Sequence, residues 1–206
     1  MSTVVMHNVV SVDGFIADDN DDVGPLFDWY SNGDTELGEG GFKVSKASFD
    51  YVKPVWDAIG SLVVGRRLFD MTDGWEGVPA VGEHVVVVSH RPRPDGWHPQ
   101  APYHFVDGVA SAIEKAKELA EGRTVAVAAG EVGGQALALG LVDEVAMDVV
   151  PVVFGSGKRY FGSVDGRVLL EDPDVVVRGD RVLHLRYRVR RTPSINTPSP
   201  TVATPP

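Results

Sequence analysis

The chain reads as a mixed α/β protein: a mostly parallel sheet finished by antiparallel strands, with helices on both faces. Three observations predict this. Apolar, β-branched runs alternate with helical patterns as far as about Val145, after which strand follows strand. Three of those runs end in small or cationic residues. Ser61–Gly65 leads into Arg66 and Arg67, Val85–Val88 into Ser89, His90 and Arg91, and Val125–Ala129 into Gly130, Glu131, Val132, Gly133 and Gly134. Finally, Val182–Val189 alternates strictly, with Leu183, Leu185, Tyr187 and Val189 opposing Val182, His184, Arg186 and Arg188, as an antiparallel strand with one buried and one wet face does.

The elements follow in order. Val4–Val12 is a strand stopped by the Asp13-Gly14 turn. Residues 18–41 are polar but carry Pro25, Phe27, Trp29 and Tyr30, which suits either a lid over a pocket or a satellite core. Ser45–Ala58 has helical spacing, with Val44, Ala47, Val52, Val55 and Ile59 on one face and Pro54 disturbing it. A short helix over Leu68–Asp73 follows the Gly65 strand, then a loop over Trp75–Gly82, a second strand, a loop over Arg91–Pro102 and a strand over Tyr103–Val106. Gly108–Glu121 is the best helix, with Asp107 as the expected N-cap and Gly122 just past its end. A short helix runs from Gly133 to Leu139. Pro151 divides or bulges the apolar run Val145–Phe154. Val168–Leu170, Val175–Val177 and Val182–Val189 read as closing strands, the last offering an edge for a homodimer. Residues 1–191 form the expected domain; Thr192–Pro206, rich in Pro, Ser and Thr, reads as a disordered tail.

Composition narrows the function. With 206 residues the chain fits one domain and a tail. Nineteen Lys and Arg against 29 Asp and Glu give a formal charge of −10, which disfavours a nucleic-acid partner; arginines that hold an anion must do so locally, against the global field. The absence of cysteine excludes disulfides, thiolate metal sites and a cysteine nucleophile. Met1–Val12 lacks a basic segment, Asp13 interrupts its apolar residues, and no apolar run approaches spanning length. The expectation is a cytoplasmic protein with no membrane partner.

A strand that ends at a glycine followed by fixed cations presents N–H groups and positive charge to an anion. Gly130-Glu131-Val132-Gly133-Gly134 is not a G-x-G-x-x-G fingerprint; it fits either tight helix–sheet packing or a pyrophosphate on a helix start. Gly155-Ser156-Gly157-Lys158 fails as a P-loop, because Val152 stands at the first glycine position and Arg159 at the Ser/Thr position, so it reads as a surface loop. The six histidines show no metal-ligand spacing; His90, at a strand end beside Ser89 and Arg91, is the one retained, and no metal is expected. No G-x-S-x-G elbow is present. Asp13 suits a turn at least as well as catalysis. Asp50, on the helix before the Gly65 strand, could hold or donate a proton if it faced a pocket, and does nothing if it faces solvent.

Together the segments Ser11-Val12-Asp13-Gly14-Phe15-Ile16-Ala17, Val64-Gly65-Arg66-Arg67 with Trp75, Val88-Ser89-His90-Arg91-Pro92, Gly130–Gly134, Gly140–Glu144 and Pro151–Gly157 with Phe161 resemble, in order, the dihydrofolate reductase-like superfamily. The nearest branch is the reductase domain of riboflavin-biosynthesis deaminase-reductases. The resemblance implies that family's three-layer fold with NADPH across the carboxyl ends of the strands. It places Gly65, Arg66, Arg67, Ser89, His90 and Arg91 on the 2′-phosphate side, Gly130–Gly134 at the pyrophosphate, and Val9, Ile16 and Ala17 along the nicotinamide. Asp50 lies near the family's acidic helix residue without a motif to fix its register. Glu131 departs from the family's glycine pair and would repel phosphate unless it turns away. The implied activity is hydride transfer from NADPH to a small pterin- or pyrimidine-like or ribityl-type substrate, as in 5-amino-6-(5-phosphoribosylamino)uracil reductase, by a homodimer. The long 18–41 insertion argues for a substrate other than dihydrofolate. Two alternatives stay open: a non-catalytic nucleotide-binding or dimeric scaffold, and a metal-dependent hydrolase or transferase using the acidic loop.

Overall fold

The computed structural model describes residues 1–38 and 40–190; the tail expected from Thr192 lies outside the described residues. In chain order the elements are β1 (Val4–Ser11), β2 (Phe15–Ala17), a 3-10 helix (Gly24–Ser31), β3 (Thr35–Leu37), β4 (Phe42–Val44), α1 (Lys46–Asp57), β5 (Ile59–Gly65), α2 (Arg66–Met71), α3 (Asp73–Glu76), β6 (His84–Val88), β7 (Tyr103–Val106), α4 (Val109–Ala120), β8 (Thr124–Ala128), α5 (Glu131–Ala138), β9 (Glu144–Val150), β10 (Lys158–Arg159), β11 (Val175–Arg178) and β12 (Leu183–Arg188). Eight strands form one sheet in the order β11-β12-β9-β1-β8-β5-β6-β7. The six from β9 to β7 are parallel, and β12 and β11 close one edge antiparallel. This is the mixed architecture that the order of the sequence patterns predicts.

Strand alternation divides the core between the two faces. Val4, Met6 and Val10 of β1 join Val63, Val86, Val125 and Val127 beneath α4 and α5. On the other face Leu62, Val64, Val85 and Val87 pack with Phe69 and Tyr103. Tyr160, fully buried, ties β1 to β9: its hydroxyl donates to the carbonyls of Ala146 (2.7 Å) or Met6 (3.1 Å).

Trp29 and Tyr30 of the 18–41 segment join a satellite core, while Phe27 is exposed and stacks on Tyr30. Leu26, Trp29, Leu37 and Val44 are buried with Val9, Val52 and Val150, and Trp29 stacks on Tyr30 at 4.1 Å between centroids. The β3–β4 hairpin and the 3-10 helix thus cover the sheet beside α1.

Several local expectations are corrected. Asp107 does not cap α4; it pairs with His90, and Gly108 at φ +84° takes the cap position. The helix expected to reach Asp73 ends at Met71, where Asp73, Gly74, Trp75 and Glu76 all adopt positive φ in a left-handed turn. β9 stops before Pro151, which has no N–H to continue the ladder. Leu170 makes only an isolated bridge to Val189. The expected dimer edge is also displaced: β12 is internal, paired with β9 and β11, and β11 is the edge strand. Nor is the His184 face of β12 the wet one, because His184 is wholly buried there.

Candidate active site

The carboxyl ends of β5, β6 and β8 meet at one edge of the sheet. A Cβ added at Gly65 would lie 3.1 Å from Val132 Cγ2, and one at Gly130 would lie 3.2 Å from Ile16 Cδ1, so β5, the start of α5 and β2 are in contact. Arg66 lies over the rings of Phe69 and Phe105, its guanidinium 5.4 and 5.8 Å from their centroids. It donates to Asp70 (2.7 Å), to the Pro92 carbonyl (3.1 Å) and to Ser89 Oγ (3.4 Å). Arg91 shares Asp70 at 2.9 Å. Arg67 pairs with Asp21 of the 18–22 turn, which also lies 3.9 Å from Lys158. The hydrogen bond from Arg66, reinforced by Arg91, holds the Asp70 carboxyl below its ordinary range; the bond from Arg67 does the same for Asp21. Three guanidiniums therefore surround one open pocket with Asp21, Asp70 and Met71.

Ser89 organises the end of β6: its Oγ donates to the Arg91 carbonyl (2.7 Å) and accepts from the Arg91 N–H (3.0 Å). His90, highly exposed, contacts Asp107 at 2.6 Å and is not among the residues lining this pocket.

At the start of α5, Gly130 adopts φ +87°, open to glycine and strained for other residues. The first-turn N–H groups beyond it have no carbonyl within the helix to bond. The Glu131 carboxylate accepts from Ser163 Oγ at 2.8 Å. Gly133 and Gly134 sit inside the helix as packing positions, where a Cβ would meet the Ala128 carbonyl at 2.7 Å and the Phe161 carbonyl at 2.2 Å. Close packing thus describes this pair, Gly133 against the end of β8 and Gly134 against the turn at Phe161, and Gly130 is the residue of the group with a left-handed φ. Gly134→Ala is expected to cost about 1–3 kcal/mol through backbone overpacking, read as a lower urea midpoint at unchanged slope.

Asp13 is a clamp. It accepts from Ser11 Oγ (2.6 Å) and from the N–H groups of Gly155 (2.7 Å) and Phe154 (3.3 Å), and these bonds, Ser11's foremost, hold its carboxyl below its ordinary range. The 155–158 loop then returns along β2 through β10, so close that a Cβ at Gly157 would lie 2.1 Å from the Ala17 carbonyl.

A second constellation lies on the α1 face of the sheet. A cavity of about 270 Å³ opens between α1 and strands β1, β5, β8 and β9, with Val5, His7, Tyr51, Trp56, Leu62, Ala126, Asp148 and Arg186 among its walls. Asp148, buried on β9, contacts two imidazoles: His7 Nε2 at 2.9 Å through Oδ2 and His184 Nδ1 at 2.6 Å through Oδ1. His184 Nε2 in turn lies 2.9 Å from Ser48 Oγ, in the first turn of α1. Burial alone would raise the Asp148 carboxyl, but the two histidines hold it well below its ordinary range. Burial opposes a charged His7, yet Asp148 outweighs it and His7 is raised above its usual value. Burial, with Asp148 adding to it, pushes the Tyr51 hydroxyl up to about 12. Among the described residues, no group of three or more His, Asp or Glu is placed to hold a metal, and no helix is long and apolar enough to cross a membrane.

No protein-family model matches the chain, and no curated protein matches it in sequence. Solved structures do match. A protein assigned to riboflavin biosynthesis from Shewanella sp. PV-4 superposes with a TM-score of 0.66 at 20% identity, over 92% of this chain and 99% of the other. The Thermotoga maritima diaminohydroxyphosphoribosylaminopyrimidine deaminase/5-amino-6-(5-phosphoribosylamino)uracil reductase gives 0.54 at 16% identity, over 92% of this chain but 57% of its own length. Enterococcus faecalis dihydrofolate reductase, complexed with NADP(H), gives 0.52 at 16% identity, over 92% and 97%. The chain has the dihydrofolate reductase-like fold. It spans a little over half the length of the two-function Thermotoga protein.

On this dihydrofolate reductase-like frame the expected residues divide. Gly65, Arg66, Arg67, Ser89, Arg91, Gly130, Val132 and Ile16 gather at one edge; Ala17 backs onto the 155–158 loop. Val9, expected along the nicotinamide, is buried in the satellite core with Leu26 and Trp29. Asp50 is corrected: it lies on the solvent side of α1, paired with Lys46 one turn earlier, and 56% exposed. The buried residues that α1 turns inward are Ser48 and Val52. Spacing along the chain singles out neither His7 nor His184, and it gives no reason to name Asp148. The available signal is a lone carboxylate in the apolar run Val145–Val150 and a lone imidazole in the alternating strand.

Proposed function

We propose that this chain is an NADPH-dependent reductase acting on a small pterin- or pyrimidine-like or ribityl-type substrate. The supporting observation is the meeting of Arg66, Arg67 and Arg91 with the Gly130-opened helix start at the carboxyl edge of a fold that, in the Enterococcus protein, holds NADP(H). Fixed guanidiniums suit a phosphate monoester, which accepts paired charge-assisted bonds. The first-turn N–H groups of α5 suit the pyrophosphate, and Ile16, against Gly130, would flank the nicotinamide. When bound, the cofactor supplies the hydride. The chain's own work is to orient the reactants, exclude water with the satellite core and the 18–22 turn, and provide a proton. Asp21 and Asp70 neutralise the arginines until an anion of higher charge replaces them.

Quenching of tryptophan emission on titration tests the cofactor. NADPH is expected to bind at least about tenfold more tightly than NADH, with the preference shrinking at high salt. Oxidation of bound NADPH against pterins, pyrimidines and small carbonyl compounds tests the reaction. The outward-facing Asp50 favours a second reading, a nucleotide-binding scaffold; binding without turnover on every compound would select it. Failure to bind either nucleotide removes the reductase reading.

A further inference from the structure

The cavity beneath α1 contains a charged group that the cofactor edge does not explain. His7 is half-buried on β1, with Nε2 committed to Asp148 and Nδ1 left as the ring's other polar atom. Its backbone adjoins the glycine turn: His7 pairs with Ala128 across the β1–β8 ladder, and its carbonyl accepts from the Ala129 N–H at 3.3 Å, one residue before Gly130. The backbone of this residue therefore adjoins the end of the strand that leads into Gly130, and its side chain lines the cavity. Asp148 is placed by register, since His184 stands directly opposite it on β12 and His7 lies diagonally across β1. With His184 Nδ1–H donating to Oδ1, its Nε2 accepts from the Ser48 hydroxyl, so the carboxylate is fixed from both sides.

We propose that His7 is the proton donor of the reduction, with Asp148, His184 and Ser48 as its positioning residues, and that the substrate is a neutral or anionic planar heterocycle presenting a C=N nitrogen or C=O oxygen to His7 Nδ1. This rests on the reductase reading above. The π bond breaks as the carbon receives the hydride supplied by NADPH, which is oxidised to NADP⁺. The heteroatom takes the Nδ1 proton as the new bond to hydrogen forms. His7 is left neutral, its Nε2–H still on Asp148, and is recharged from water. The substrate class follows from charge. Both Asp148 oxygens are engaged, so no free carboxylate awaits a cationic amidine edge. The charged or polar groups that share the cavity with His7 are Asp148 from β9, Arg186 from β12 and Tyr51 from α1, with His184 behind Asp148 on β12; β8 contributes Thr124 and Ala126, which do not titrate, and Arg186 is itself paired with Glu144. The apolar walls from Val5, Leu62 and Trp56 suit a flat ring.

Imidazole NMR titration of the nucleotide-free protein is the first test. His7 is expected to titrate above 6.5 and to fall back toward or below it in Asp148→Asn; a wild-type His7 titrating at or below 6.5 overturns the proposal. Kinetics on the best substrate of the panel form the second. His7→Gln keeps an amide donor toward Asp148 and is expected to lose about 10²–10⁴-fold in kcat, to lose the alkaline limb of the pH profile, and to keep NADPH affinity within about twofold. Turnover within about threefold of wild type with that limb intact overturns the assignment of the proton while leaving the reductase reading in place. A wild-type protein that binds no NADPH overturns both. Tight binding of a 2,4-diaminopyrimidinium probe overturns the substrate class.

Discussion

Replacing Asp148 by Asn is expected to lower the unfolding free energy by about 1–3 kcal/mol, the usual cost of leaving a buried hydrogen-bonding group without its partner. The amide offers one acceptor where the carboxylate offers two, so one of the imidazoles His7 and His184 is left facing an N–H₂ group. Urea unfolding at neutral pH reads the loss. The pH dependence gives a second signature. Asp148 is held below its unfolded value of 3.8, so its contribution is present above that value and is lost as pH falls through the folded one. His7 is raised above its unfolded value of 6.5, so its contribution is complete below 6.5 and is lost as pH rises through the folded one. The pair therefore stabilises most between these limits, and Asp148→Asn is expected to flatten that maximum in a plot of Tm against pH. A variant with wild-type Tm throughout would show that the constellation contributes nothing to the fold.

The double variant Arg67→Glu/Arg91→Glu is expected to weaken NADPH binding by roughly a hundredfold, about tenfold for each guanidinium withdrawn from the phosphate. Both side chains are largely exposed, 70% and 67%, so the unfolding midpoint should barely move. Arg66 is left untouched because it also stacks on Phe69 and Phe105, and reversing it would confuse binding with packing. NADH affinity should change less than NADPH affinity if these arginines hold the extra phosphate. Unchanged NADPH affinity would remove the cationic pocket from the cofactor site.

Much of the architecture is legible in the sequence because its signals are local. Apolar β-branched runs broken by Gly-Arg-Arg, Ser-His-Arg and Gly-Glu-Val mark β5, β6 and β8, and parallel connection puts all three carboxyl ends on one edge. Ser45 announces the start of α1. Orientation is less legible. Periodicity puts Asp50 on a helix without saying which arc of that helix meets the sheet, and the arc that does so carries Ser48 and Val52. In residues 18–41 the aromatic content is visible, but whether those rings close on a ligand or on one another depends on what lies beneath them; Val9 and Val150 do.

The sequence by itself determined the main-sheet strands β1, β5 to β9 and β12, the helices α1, α4 and α5, and the gathering of cations at strand ends, because hydrophobic period, glycine conformation and strand-end charge are properties of a few neighbouring residues. Only the tertiary structure decided that His7, Asp148, His184 and Ser48 form one constellation. Their hydrogen bonds join positions 141, 36 and 136 residues apart. Those separations are closed by the register of β1, β9 and β12 and by the docking of α1, which fix where a buried carboxylate finds its partners and which no local spacing encodes.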